Sequence, residues 1–178
     1  MRSSELFTKI TNQTGLFNIQ AIDNIPSIMQ RGLLSNIGAS TIKHTSIAMQ
    51  EIQDRRDAVI IPNGMPLHKY ANVYFDPKNP MLYKRKGENE NICILKFDRS
   101  ILDIKGAIVS DRNASSAYAS FYSPEDGLNE IDFSLVFSTN WLDEDQYEYF
   151  RKKSIKCAEV LIPFCIPYDY VVSAAVYS

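Results

Sequence analysis

The segment KCAEVLIPF, residues 156–164, sets the hardest condition on how this chain can fold. It alternates as a strand does, with Cys157, Glu159 and Leu161 on one face and Ala158, Val160 and Ile162 on the other. A carboxylate bounded by apolar neighbours costs several kcal/mol to desolvate unless it is paired. The fold therefore either finds Glu159 a partner or leaves this strand at a sheet edge with a wet face. The local sequence leaves both readings open.

Periodicity supplies the other elements. LFNIQAID, residues 16–23, alternates Phe17, Ile19 and Ala21 against Leu16, Asn18 and Gln20, which predicts a strand with one apolar and one mostly polar face. Asp23 or Asn24 is placed to cap a helix carrying Pro26 in its first turn, with Ile25, Ile28 and Met29 on one stripe and a stop at Gly32. A second helix is predicted over about SIAMQEIQDRRDAV, with Ala48, Ile52 and Val59 on a stripe that Arg55 and Arg56 flank. One of these arginines can snorkel to solvent, and the other can turn inward, since a guanidinium is a rigid fork suited to phosphate. Periodicity does not choose between them. ANVYF, ICILKFD, AEVLIPF and VVSAAVYS read as strands, and the later part of DFSLVFSTNWLDEDQYEYFRKKS reads as helix. The order β-α-α-β-β-α-β-β, with strands clustered late, predicts an α+β domain.

VYFDPKNPMLYKRK, residues 73–86, breaks this regularity. Two prolines three residues apart each remove a backbone donor and fix φ, so the passage is expected to run from strand into a kinked loop. Aromatic, methionine and cationic side chains crowd that break. SDRNASS, residues 110–116, is rich in turn formers, with Asp111 and Asn113 as ordinary turn-closing side chains.

Composition narrows the chemistry. The 178 residues are enough for one domain with a real core. There is no apolar run long enough for a membrane span, and the start lacks the apolar core of a secretory signal. Cys93, Cys157 and Cys165 are odd in number and have no CxxC spacing, which reads as reduced core cysteines in a cytoplasm. Only His44 and His68 exist, too few for a histidine metal cage and awkward for a Ser-His-Asp triad. Net charge is −2, but Asn113 to Phe150 holds eight acids and no Lys or Arg. The rest therefore carries 19 cations against 21 − 8 = 13 acids. The clusters Lys84-Arg85-Lys86 and Arg151-Lys152-Lys153 suit either a polyanion-binding face or plain solvated loops.

Taken together, these pieces resemble the DarT family of bacterial ADP-ribosyltransferase toxins, which modify nucleobases in single-stranded DNA. FNIQAIDNIPSIMQRGLLS is similar to that family's opening strand and helix, and PNGMPLHKYANVYFDPKNPMLY to its PPGGxLxDYVPFYFxPRSPMLY block. SIAMQEIQDRR, IVSDRNA, IDFSLV and KCAEVLIPFCIP follow in the family's order. The resemblance runs from about residue 16 to the end, leaving 1–15 as an N-terminal extension of a single domain over 1–178.

The resemblance implies an ADP-ribosyltransferase core, a split pair of small β-sheets around an NAD cleft with flanking helices. It implies Glu159 and Arg56 as catalytic residues, and Asn18, Ile19, Gln20, Ser27, Ser35 and Arg56 as NAD contacts. Tyr74, Met81 and Tyr83 would meet bases of the nucleic acid, Lys84, Arg85 and Lys86 its phosphates, and Arg112 and Asn113 the acceptor base. NAD is the implied substrate, with no metal. The implied partners are a single-stranded DNA acceptor and an antitoxin, in this family a macrodomain ADP-ribosyl hydrolase, within a toxin–antitoxin or phage-defence system. RNA as acceptor and a catalytically impaired nucleic-acid-binding relative are the alternatives. Two family histidines are replaced here, by Asn18 and Ala21, and asparagine can hydrogen-bond but cannot carry charge. Family members also usually continue beyond the last strand.

Overall fold

The computed structural model describes residues 1–176. Helix α1 (Ser3–Thr11) is followed by β1 (Gly15–Ala21), α2 (Ile25–Arg31), β2 (Leu33–Leu34), α3 (Asn36–Ala39) and α4 (Gln50–Asp57). Next come β3 (Tyr70–Tyr74), α5 (Pro80–Lys84), β4 (Ile92–Asp98), β5 (Ile108–Ser110), β6 (Phe121–Tyr122), α6 (Pro124–Gly127) and α7 (Phe133–Val136). Helix α8 (Gln146–Ile155), β7 (Glu159–Pro163), β8 (Cys165–Ile166) and β9 (Val171–Val176) complete the series. The last two residues of the expected final strand lie outside the described residues.

Seven strands form one antiparallel sheet in the order β6-β5-β7-β3-β1-β4-β9, and β2 pairs with β8 separately. The class is α+β, as the clustering of strands predicts, but the expected pair of small sheets is one large sheet and one small. The reason lies in β1. It pairs with β4 along its whole length, from Gly15 opposite Asp98 to Ala21 opposite Ile92, and touches β3 at one registered pair, Phe17 opposite Tyr74. Two half-sheets are thus joined by a seam with one registered pair.

Strand alternation sorts the two faces. Val160 and Ile162 of β7, with Val73, Leu95, Phe97 and Val109, enter the main core, while Leu161 joins a smaller cluster with Ile61, Leu67, Tyr70 and Ala114. Glu159 shares the face of Leu161. Helix α1 belongs to the main core, since the Phe7 ring packs tilted against Phe75 and Phe133, with centroids 5.6 Å and 5.9 Å away. The polar face of β1 is sheltered, since Asn18 is buried and donates to the Asn72 carbonyl. Helix α2 buries Ile28 and stops at Gly32 as read, although Met29 of its stripe faces solvent.

Two helix expectations need correction. Helix α4 begins at Gln50, not Ser46. Both side-chain groups of Asn24 hold the backbone of Thr45, at 2.7 Å and 2.8 Å, and anchor the preceding loop outside the helix. The passage after Tyr74 is not loop alone. Pro80 takes the first helical position, where its missing N–H is harmless, and Asn79 caps the amides of Met81 and Leu82 at 2.9 Å and 3.2 Å. Among the described residues no helix is long and apolar enough to cross a membrane.

Candidate active site

Glu159 is completely buried, and it is not on an edge. Its strand lies between β3 and β5, with Tyr74 and Ser110 as its register partners. The partner that burial demands is Arg56, from the last turn of α4. Its Nη1 and Nη2 donate to Oε1 and Oε2 of Glu159 at 2.9 Å and 3.2 Å. The Ala114 amide donates a third bond to Oε1 at 3.1 Å, and the Glu159 amide donates to Ser110 Oγ. Forked pairing of this kind is the strong form of a charge-assisted hydrogen bond, and it fixes both side chains. Burial works against the charge on Arg56, but Glu159 outweighs it and holds the guanidinium above its ordinary value. Burial, reinforced by the Glu159 charge, raises the Tyr74 hydroxyl and pushes the Cys157 thiol up to about 12. Arg55, one residue earlier, is exposed and pairs with Glu51, so the two arginines divide as the sequence allowed.

Arg56 is part of the wall of a cavity of about 700 Å³, and Glu159 lies behind it. That volume is within the ~300–1,000 Å³ typical of sites for cofactor-sized molecules. One side is β1 and α2. Asn18 Nδ2 donates to the Asn72 carbonyl at 3.1 Å, Gln20 Nε2 to Asn18 Oδ1 at 3.3 Å, and Asn24 Nδ2 to Gln20 Oε1 at 2.7 Å. This chain of amides presents fixed polar groups along the seam between the half-sheets. Asn18, Ile19, Gln20, Ser27 and Arg56 all line the cavity. Ser35 does not line it. Its buried hydroxyl caps α3 by accepting from the Gly38 amide at 3.1 Å.

Tyr74, Met81, Lys84 and Asn113 also line the cavity, whereas Tyr83, Arg85, Lys86 and Arg112 do not. Each of these four is occupied elsewhere. Tyr83 packs edge-on to Trp141 at 5.8 Å, and Lys86 sits 4.5 Å over the Tyr83 ring. Arg85 is held by Glu88 at 2.9 Å, and Arg112 by Asp111 at 3.1 Å. The second cationic cluster behaves alike, with Arg151 on Glu148 and Lys152 on Asp143. Lys153 has no acidic partner among these pairs but sits 5.4 Å over the Tyr149 ring, and it lines the cavity, as do Phe150 and Tyr118, both widely exposed. Sequence reading missed Asn24, Tyr118, Phe150 and Lys153. Only for Lys153 was there a signal, the cluster itself. Among the described residues no three His, Cys, Asp or Glu side chains gather as a metal site.

Known proteins resemble this chain in sequence and fold. The model of the DarT family, described as ssDNA thymidine ADP-ribosyltransferase, matches residues 17–178. The chain is 30% identical to a DNA ADP-ribosyl transferase of Thermus sp. (strain 2.9), covering 93% of this chain and 82% of that protein. It is 29% identical to a DNA ADP-ribosyl transferase–DNA ADP-ribosyl glycohydrolase fusion protein of Thermosipho africanus, covering 91% of this chain but 42% of the fusion. Thermus sp. 2.9 DarT in complex with ADP-ribosylated ssDNA superposes with a TM-score of 0.81 at 27% identity, over 94% of this chain and 83% of that one. The same DarT in complex with carba-NAD+ gives 0.75 at 26%, over 93% and 83%.

Proposed function

The chain belongs to the DarT family of ssDNA thymidine ADP-ribosyltransferases, and from that membership we propose that it transfers ADP-ribose from NAD to thymine in single-stranded DNA through Arg56 and Glu159. The observation that supports these two residues is their buried forked pair behind a cavity lined by side-chain amides, aromatic rings and lysines. The transfer breaks the bond between ribose C1′ and the nicotinamide nitrogen, whose electron pair leaves with nicotinamide. A new bond forms from C1′ to the base. In thymidine the ring nitrogen that carries a proton is N3, so that proton must be removed. Positive charge grows on the sugar during this exchange. A carboxylate beside the ribose 2′-hydroxyl orients the sugar and offsets that charge, and Glu159 would fill this role before accepting the N3 proton. Such a group is worth roughly 10²-fold or more in rate.

In the resting pair Arg56 covers Glu159, so its grip has to open before a sugar can reach the carboxylate. The diphosphate of the dinucleotide is the natural next partner for the freed guanidinium. Asn18, Gln20 and Ser27 would orient the nicotinamide side, with Asn18 contributing a neutral amide where family members carry histidine. Tyr74, Met81 and Asn113 would face the base, and Lys84 and Lys153 the DNA phosphates.

The glycohydrolase fused to the Thermosipho relative supports pairing with an antitoxin that removes the mark. The reaction belongs in the cytoplasm, where DNA and NAD meet and where three unpaired cysteines stay reduced. The test is incubation with labelled NAD and three acceptors: thymine-containing single-stranded DNA, thymine-free single-stranded DNA, and RNA. Label confined to the first supports the proposal. Label on RNA alone, or equally on thymine-free DNA, would overturn the acceptor assignment.

A further inference from the structure

His68 stands in a short 3-10 turn, Leu67–Lys69, is 7% exposed, and lines the same cavity as Arg56. Its Nδ1 lies 2.6 Å from Oδ1 of Asp57, the residue that follows Arg56 at the end of α4. A carboxylate oxygen only accepts, so Nδ1 carries a proton, and in the neutral form of the ring this leaves Nε2 with a lone pair. Nε2 is shut off from bulk solvent and has no hydrogen-bond partner among the described residues. Buried polar atoms in folded proteins almost always have a partner, so an unpaired ring nitrogen in a residue that lines a cavity calls for one from outside the chain. One helix end thus holds two groups of the cavity wall: Arg56 itself, turned to Glu159, and the ring of His68, through Asp57.

We infer that His68 is a binding residue for the dinucleotide, its Nε2 accepting a hydrogen from a hydroxyl or an exocyclic amine of NAD. This rests on the reading of the cavity as the NAD site. Ribose hydroxyls, the adenine amine and the nicotinamide amide all supply such a hydrogen, and half-molecules of the dinucleotide tell them apart. His68 takes no part in bond breaking, so its loss acts on affinity. A neutral hydrogen bond of this kind corresponds to a change of about 5- to 30-fold.

The test is calorimetric titration of NAD into the native chain, His68→Ala and His68→Gln without DNA, with steady-state transfer measured alongside. NAD binding by His68→Ala weakens about 5- to 30-fold. His68→Gln, whose side-chain oxygen reaches the position of Nε2, holds affinity within a few-fold of native. The KM for NAD follows the affinity, while kcat and the KM for DNA stay near native. Should His68→Ala fail to fold, His68→Asn decides, because its amide keeps the Asp57 contact and lacks the Nε2 position. Titrating ADP-ribose and nicotinamide mononucleotide locates the donor on the half whose binding falls with that of NAD. Equal NAD affinity in native, alanine and asparagine chains would overturn the inference and mark Nε2 as a site for structural water. Absence of NAD binding by the native chain would instead overturn the proposed function.

Discussion

Arg56 and Glu159 are two charges that the fold has taken out of water and joined by a fork. Burying such a pair gains little net stability, whereas breaking it by removing one partner costs about 3–5 kcal/mol. Replacing both by apolar residues of similar volume is often neutral or stabilising. The double variant Arg56→Met, Glu159→Leu is therefore predicted to melt at or above the native temperature and to have no transferase activity. Arg56→Met alone should melt well below it, having left a buried carboxylate with the Ala114 amide as its remaining donor. Thermal melts paired with activity assays check this. If the double variant proves as unstable as the single, the pair holds the fold together, which contradicts its being kept for chemistry.

At the scale of elements, the end of β3 and the start of β7 are tied by a second buried ion pair. Lys156, 1% exposed, donates to Asp76 Oδ2 at 2.6 Å and to the carbonyls of Val136 and Ser138 at 2.7 Å and 2.8 Å. It latches the loop after α7, which carries Trp141, onto the strands that hold Tyr74 and Glu159. Lys156→Met removes one partner and leaves Asp76 and two carbonyls short of a donor. A loss of about 3–5 kcal/mol is expected, seen as a lower urea midpoint. An unchanged midpoint would mean that the latch contributes nothing. Lys156 shows where sequence reading stops. Strands 92–98 and 158–164 and the stop at Gly32 could be read because each depends on local alternation or on one residue's backbone freedom. The Lys156 latch and the Asn24–Thr45 bonds depend on residues far apart in the chain, and no periodicity carries them. Ser35 illustrates the reverse case, since resemblance placed it in the cofactor pocket but a serine just before a short helix serves first as its cap.

Over the whole molecule, the sequence shows two cationic clusters and an acid-rich span, and the fold decides which charges remain available. Arg85, Arg112, Arg151 and Lys152 are all neutralised by neighbouring acids, leaving Lys84 and Lys153 at the cavity. The electrostatic footprint on DNA is therefore predicted to be small. Each phosphate contact on a single strand contributes about 0.7 to the slope of log affinity against log salt. Lys84→Ala and Lys153→Ala should each lower that slope by roughly this amount, and Lys86→Ala should leave it unchanged. Fluorescence anisotropy of labelled single-stranded DNA over a salt series measures it. A larger effect from Lys86 than from Lys153 would put the DNA on the other side of α5.

The most direct test of the account is single-turnover transfer of labelled ADP-ribose to thymine-containing single-stranded DNA by the native chain, Glu159→Gln and Glu159→Asp, with NAD affinity measured on the same samples. The account predicts that Glu159→Gln, which keeps an acceptor for Arg56 but no negative charge, binds NAD within a few-fold of native and transfers at least about 10²-fold more slowly. Glu159→Asp, with the charge retained but withdrawn, should fall between the two. Transfer by Glu159→Gln within tenfold of native would contradict the account and return Glu159 to a purely structural partner of Arg56.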